Sequence, residues 1–351
     1  MVDQTSLVQL PAFLTAAAPA RTDIRYVMGV DGGATKTLAA VLDLEEKLLH
    51  VGHGGPSNED AVGTKAAVQA LLDAADAAIE RAGIGAAELG AAVLAIAGTN
   101  TNAIAGSVRE ARTDAWIVVN DVLAAWATAT GVGPGVATIA GTGSNVFGVG
   151  GTGAELRAWR AGGWGHLLGD EGSGYWLGVQ SIKAALRHRE ASGPATALSE
   201  AAVEFFGAES VEAVAQSVYS KPLTKGEIAA FAVETSRLAE QGDAVARELY
   251  ERGAHELGEQ IVAVLHQTGL AQSAAAPEFP VGLIGSAFKA GAVFVEPLTR
   301  AIHAVAPAAR VAAVQMAPVG GSLLLAARAC AVQSVPAPAE LTRLVDAALQ
   351  A

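Results

Sequence analysis

Tyr26-Val27-Met28-Gly29-Val30-Asp31-Gly32-Gly33-Ala34-Thr35-Lys36-Thr37 is the stretch whose reading decides the fold. Its first five residues have the composition of a buried strand, and the paired glycines then break it. Asp31 stands where that strand ends, and the carboxyl ends of strands are where ligands gather in α/β proteins. Residues 38–44 and 47–51 read as two returning strands, parted by Glu45-Glu46.

The plan then restarts. Residues 131–135 (Gly-Val-Gly-Pro-Gly) form a breaker, 136–140 a strand, Gly141-Thr142-Gly143-Ser144-Asn145 a glycine turn and 146–150 a returning strand. Strand, Gly/Thr-rich turn, antiparallel strand thus occurs twice without repeated sequence, which predicts a structural duplication. Between the two lie a helix over 65–82, a strand over 91–96 ending near Gly98, a strand over 116–119 ending at Asn120-Asp121, and a helix over 122–130. Beyond them, helices are predicted over 174–189, 196–206, 225–240 and 244–268, then a strand over 281–284 before Gly285-Ser286. A helix over 291–305 with a kink or break at Pro297, a strand over 311–315 and helices over 320–330 and 339–350 complete the chain. Strands alternating with helices predict α/β architecture with partly parallel sheets.

A length of 351 residues suits two domains, and 51% hydrophobic residues suffice for two cores. The net charge of −12, with no Lys/Arg cluster, argues against a nucleic-acid binder and against a membrane-surface role. An anionic small molecule stays admissible, because backbone amides bind phosphate without net positive charge. The single cysteine, Cys330, rules out internal disulfides, a four-cysteine zinc site and a cysteine-bound iron–sulfur cluster within one chain, and suits the cytoplasm. The longest uncharged stretch, 122–154, is broken by Pro134 and many Gly, Thr and Ser residues, so it reads as strands and turns rather than a membrane span. Residues 1–20 lack the basic start of a signal peptide and read as a peripheral extension.

Five constellations could carry chemistry. In the first turn, Gly32 and Gly33 let the backbone approach an anion while Thr35, Lys36 and Thr37 supply donors. The pattern suits a nucleotide phosphate with Mg²⁺ near Asp31, or an ordinary hairpin turn; the Walker A spacing is missing. Gly141-Thr142-Gly143-Ser144-Asn145 could offer consecutive N–H groups to a phosphate or a sugar hydroxyl, or be a tight turn. Two such loops at the same point of two similar units would hold a phosphate in an interdomain cleft. Asp121 suits a helix N-cap or a general base. Residues 162–176, Gly-Gly-Trp-Gly-His-Leu-Leu-Gly-Asp-Glu-Gly-Ser-Gly-Tyr-Trp, combine two carboxylates, six glycines and two tryptophans. That suits a carbohydrate, with Glu171 alternatively capping the next helix and His166 structural. Asn58, and Gly285-Ser286 facing adenine or ribose, are either ligand contacts or plain turn residues.

Together these segments resemble the superfamily of acetate kinase, sugar kinases, heat-shock ATPase chaperones and actin. Within it they resemble the N-acetylglucosamine kinases and the related BadF/BadG/BcrA/BcrD ATPases. Residues 29–37 match the first phosphate motif, 139–145 the second, and 162–173 the family's most specific segment. The resemblance implies an α/β fold of two actin-like (ribonuclease H-like) domains with an interdomain cleft. The expected division is an extension (1–23), a first domain (24–132), and a second domain with a helical insert (133–335), with the final helix (336–351) a candidate to return to the first.

The resemblance also implies an ATP- and Mg²⁺-dependent kinase phosphorylating an amino sugar, N-acetylglucosamine or glucosamine at the 6-hydroxyl. N-acetylmuramic acid, another hexose, or a sensor or activator ATPase are the alternatives. It makes Asp121 the catalytic base and Asp31 the residue organising Mg²⁺. Asn58, Asp121, Gly143, Ser144, Asn145, Gly163, Trp164 and Asp170 fall around the sugar. Gly32, Gly33, Thr35, Lys36, Thr37, Gly141 and Thr142 fall at the phosphates, and Gly285 and Ser286 at the adenosine. The expected partners are the sugar and ATP, in the cytoplasm, with a homodimer as an option. Ala97-Gly98-Thr99 departs from the pattern, with alanine where eukaryotic-type N-acetylglucosamine kinases have a serine near the acetamido group.

Overall fold

β1 (Tyr26–Gly32) is apolar on both faces because both are covered. Val27, Met28 and Val30 are fully buried. A Cβ on Gly29 would meet Ser322 and Leu323, whereas one on Gly32, on the opposite face, would meet Ser57, Ile96 and Leu71. The helix Pro318–Ala329 therefore packs one face of the strand and Thr64–Ala82 serves the other side of the sheet. This computed structural model describes residues 10–350 apart from 17, 34, 99, 100, 114, 153, 154, 221, 222, 272–276, 333 and 334, and the backbone alone at 60.

β1 continues into its antiparallel neighbour β2 (Thr37–Asp43), which pairs antiparallel in turn with β3 (Leu48–Gly54); on its other side β1 pairs with β4 (Leu89–Ile96), which pairs with β5 (Trp116–Asn120). The last two pairings are parallel, and the sheet order is β3-β2-β1-β4-β5. The second sheet is built from β6 (Gly135–Ala140), β7 (Ser144–Gly150), β8 (Arg157–Gly162), β9 (Phe279–Ile284) and β10 (Ala309–Ala313). Its order is β10-β9-β6-β7-β8. Adding five to each strand number of the first sheet gives the second read backwards. β7 and β8 are antiparallel, while β6–β9 and β9–β10 are parallel, as in the first sheet. The duplication expected from the two glycine turns is present as topology.

The chain divides into two compact units, one per sheet. The first takes the described residues through 135, 151–156 and everything from 314 onward; the second takes 136–150 and 157–313. The sequence reading returned only the closing helix to the first unit. The structure also places Pro318–Ala329 there, since Ser322 Oγ donates to Val30 O at 2.9 Å. In the second unit Ala244–Thr268 and Gly174–Arg189 run at the predicted limits.

Two expectations are corrected, and three elements are added. The helix predicted over 225–240 is two, Lys225–Ala230 and Ala232–Glu240, joined at the fully buried Phe231. Pro297 neither ends nor splits Ala292–Val305, because Phe294, Leu298 and Ile302 form one completely buried stripe that holds the helix against Ala244–Thr268. The helices Thr101–Ala111 and Val211–Ser220 were unassigned in the sequence, as was β8. Among the described residues no helix is long and apolar enough to cross a membrane.

Candidate active site

The first unit's candidates sit at one edge of its sheet, where β1, β4 and β5 all end. Gly32 pairs with Ile96, and Ile96 with Asn120. Register alone therefore sets Asp31-Gly32 level with Asn120-Asp121 two strands away, about 10 Å across the sheet. Burial pushes the Asp31 carboxyl up to about 6, partly opposed by the Lys36 charge.

The turn after Asp31 is tied to the loop carrying Asn58. The Gly33 N–H donates to Lys36 O at 3.1 Å, and the N–H groups of Ser57 and Asn58 both donate to Gly33 O, at 2.9 and 3.2 Å. Thr35 and Lys36 are exposed at the tip; Ala34 lies outside the described residues. Thr37 is placed differently from the expected phosphate donor. It is fully buried, with its hydroxyl 2.7 Å from Gly55 O and 2.8 Å from the equally buried Ser57 Oγ. It locks the base of the turn, leaving Thr35 and Lys36 as the outward donors.

The helix cap, one of the two readings of Asp121, falls to its neighbour. The N-cap of Asp121–Thr130 is Asn120, whose Oδ1 accepts from Val122 N at 3.2 Å. The same side chain donates to Gly98 O at 3.3 Å, which ties the end of β5 to the segment after β4. Ala97 N donates to Gly32 O at 2.9 Å, continuing the tie to β1; Thr99 lies outside the described residues. Asp121 is the first helical residue, half-buried, where the helix dipole favours its carboxylate.

In the second unit the glycine turn is pinned from both ends. Gly174 N donates to Gly141 O at 2.8 Å and Tyr175 N to Thr142 O at 3.3 Å, so the start of Gly174–Arg189 holds the turn's carbonyls. Gly141 N closes the turn on Gly143 O at 2.9 Å. Gly285 lies directly against it: with φ of 118°, a Cβ there would fall 2.3 Å from Ala140 O. The parallel pairing of β6 with β9 thus brings Gly285-Ser286 beside Gly141-Thr142.

The glycine-rich loop folds back onto the same turn. Asp170 is buried at a positive φ of 62°, and its Oδ1 accepts from Ser144 N at 3.2 Å. A Cβ on Gly143 would lie 2.9 Å from that carboxylate. Burial raises the Asp170 pKa, with the Ser144 N–H opposing. Ser144 Oγ donates to Glu171 O at 2.8 Å. The capping role belongs to Ser173, whose Oγ accepts from Trp176 N at 3.1 Å; the Glu171 carboxylate instead accepts from Gln260 Nε2 at 2.8 Å. Gly163, at φ of 71°, leaves 2.8 Å between a would-be Cβ and the Asn145 side chain. Trp164 is 56% exposed, so its ring is available to a ligand. His166 stands edge-on to Tyr175, with ring centroids 5.3 Å apart.

Two sets thus form. Asp31, Gly32, Gly33, Thr35, Lys36, Asn58 and Asp121 belong to the first unit; Gly141, Thr142, Gly143, Ser144, Asn145, Gly163, Trp164, Asp170, Gly285 and Ser286 belong to the second. Sequence reasoning missed Ser57, which anchors the first turn, and Gln260, which anchors Glu171 from 89 residues away. Neither carries a local signal, since each acts through a partner distant in sequence.

Among the described residues no group of three metal-ligating side chains exists. Mg²⁺ is commonly held by one or two carboxylates together with phosphate oxygens and water, and Asp31 is a single carboxylate at the end of β1, beside the Gly32-Gly33 turn.

Residues 28–326 match the model of the BadF/BadG/BcrA/BcrD ATPase family. The chain is 28% identical over 247 residues to the N-acetylmuramic acid/N-acetylglucosamine kinase of Clostridium acetobutylicum, covering 69% of this chain and 80% of that one. It is similar to the crystal structure of a protein from Chromobacterium violaceum provisionally named an N-acetylglucosamine kinase, with a TM-score of 0.66 at 26% identity, covering 87% of this chain and 99% of that one. The fold is shared with a ROK family glucokinase from Streptomyces griseus, at a TM-score of 0.50 and 19% identity over 86% of this chain and 98% of that one. These likenesses agree with the α/β class and the two five-stranded sheets. With more than half of its length matched by one family model, the chain belongs to the BadF/BadG/BcrA/BcrD ATPase family.

Proposed function

We propose that this protein is an ATP-dependent kinase of amino sugars, transferring the γ-phosphoryl group to the 6-hydroxyl of N-acetylglucosamine. The observation that carries the reading is the position of Asp121. Asn120 supplies the helix cap, and Asp121 stands beside it at the end of β5, level in register with the Asp31 turn. A half-buried carboxylate there suits a base better than a structural group.

The chemistry asks little covalent work of the protein. Asp121 accepts the hydroxyl proton as the sugar oxygen attacks the γ-phosphorus and the bond to the departing ADP oxygen breaks. The two glycine turns present backbone N–H groups and Lys36 a positive charge to the phosphates. Asp31 would hold Mg²⁺, which would neutralise charge on the phosphate oxygens. Asn58, Asn145 and Asp170 orient the sugar hydroxyls, and Trp164 covers a C–H face of the ring. Gly285 and Ser286 contact the adenosine. The acceleration then comes mainly from positioning and electrostatics. The protein is read as cytoplasmic.

The relative from Clostridium acetobutylicum, by its name a kinase of both N-acetylmuramic acid and N-acetylglucosamine, supports this substrate class. An ADP-release assay over N-acetylglucosamine, glucosamine, glucose and no sugar tests it, with ³¹P NMR of the product locating the phosphate. N-acetylglucosamine-dependent ADP is expected. ADP release indifferent to sugar would identify an activator ATPase instead, and no release with any sugar would identify a sensor.

A further inference from the structure

Two buried side-chain atoms without a hydrogen-bond partner lie near the end of the β7–β8 pair: Asn145 Oδ1 and Arg160 Nε. Asn145 is the register partner of Gly162 and Phe147 that of Arg160, so Asn145 and Arg160 are diagonal neighbours on one face of the pair. Gln260 Oε1, also without a partner, belongs to the helix Ala244–Thr268 on the other face. A buried polar atom left unsatisfied costs about 1–3 kcal/mol. One acceptor and one donor in this condition, beside Gly163 and Trp164, mark a place where a polar ligand is received.

Arg21, Arg25, Arg112, Arg189, Arg237 and Arg310 lie against a carboxylate, whereas Arg252 sits over the Trp176 ring without one. Among the described residues Arg160 is matched with none; its guanidinium instead sits over the Trp164 ring, 5.5 Å from the centroid. The ring quadrupole compensates the half-buried guanidinium charge weakly. A carboxylate brought by the ligand would satisfy both the charge and the planar donor set.

We propose that Arg160 is a specificity residue that favours amino sugars bearing a carboxylate over their neutral counterparts. The inference rests on the sugar-kinase reading and on Trp164 facing the sugar. It assigns the selection to one side chain outside the glycine-rich loop itself. Asn145 Oδ1, as an acceptor, suits the hydroxyl and amide donors that both kinds of sugar share. Arg160 acts on the one group that distinguishes them.

The test measures kcat and KM for three sugars: N-acetylmuramic acid, its neutral methyl ester, and N-acetylglucosamine. The wild type should show a lower KM for the acid than for the ester, which matches it in bulk but lacks the charge. Arg160→Gln should raise the KM for the acid by about tenfold or more, the size of one charge-assisted contact, and abolish the acid–ester difference. Its KM for N-acetylglucosamine should stay within about twofold of wild type, and Arg160→Lys should recover part of the acid preference. Equal losses for all three sugars would show that Arg160 merely supports Trp164 and would overturn the proposal. So would a wild type that phosphorylates N-acetylglucosamine but not the acid, or that treats acid and ester alike. A wild type that phosphorylates none of the three would overturn the kinase reading, and this proposal with it.

Discussion

Gly143 and Asp170 are fitted to each other: the Asp170 carboxylate lies 2.9 Å from where a Cβ on residue 143 would stand, and its Oδ1 accepts from the neighbouring Ser144 N–H. The turn after β6 and the loop after β8 are thereby joined through a side chain that needs its partner to have none. Gly143→Ala should leave the fold intact, because only the end of the Asp170 side chain must move. It should raise the sugar KM several-fold with a smaller change in the KM for ATP. Unchanged sugar affinity would show that Asp170 does not contact the sugar.

Asp121→Asn separates binding from chemistry. The amide is isosteric and Asn120 keeps the helix capped, so stability should hold. Turnover should fall by about 10²-fold or more, the lower range for removing a general base. Calorimetry of sugar binding alongside steady-state kinetics makes the comparison. Near-normal turnover would remove Asp121 from its assigned role.

Gly285→Ala should be more damaging than Gly143→Ala, although each adds one methyl. The obstacle at 285 is the backbone oxygen of Ala140, 2.3 Å away, and φ is 118°. A backbone strand end cannot swing aside as a carboxylate can, and the strained φ alone costs about 1–3 kcal/mol. Thermal melting should show a clear drop in Tm, with weakened ATP affinity in whatever folds. A Tm equal to wild type would contradict the contact.

The raised pKa of Asp170 gives a pH dependence of definite sign. Burial, its largest cause, disfavours the charged form. Sugar hydroxyls donate to the carboxylate, so sugar affinity should be full above the raised pKa and fall as pH drops through it, at a higher pH than for an ordinary aspartate. Folding stability responds oppositely: a raised folded-state pKa means that the site's contribution is largest at low pH and diminishes as pH rises through that value. Affinity and Tm measured across the acidic range should therefore move in opposite directions at this site, and in Asp170→Asn both dependences should flatten. Persistence of the affinity change in Asp170→Asn would assign it to another group.

Continuous apolar runs and glycine punctuation were enough to locate β1, β4, β6 and β9 and both turns, because these strands are buried on both faces and leave no room for polar residues. β8 escaped notice for the opposite reason. Arg157-Ala158-Trp159-Arg160-Ala161-Gly162 is nowhere fully buried, and it is a strand because β7 offers it an open edge. Phe231, at the joint of two helices, and Pro297, inside one, likewise take their conformation from what they pack against.

The candidate site divides in the same way. Asp31, Asp121 and the carboxylates among the glycines of residues 162–174 are visible as residue types at strand ends, since local chain direction alone fixes where a strand ends. What Thr37, Asn120, Ser57, Arg160 and Gln260 do is invisible in sequence, because each acts on a partner brought near only by sheet register or helix packing. Local composition determined which segments could bind and react. Tertiary contacts between residues distant in sequence, 89 positions for Gln260 and Glu171, decided which side chain caps, which braces and which is left for a ligand.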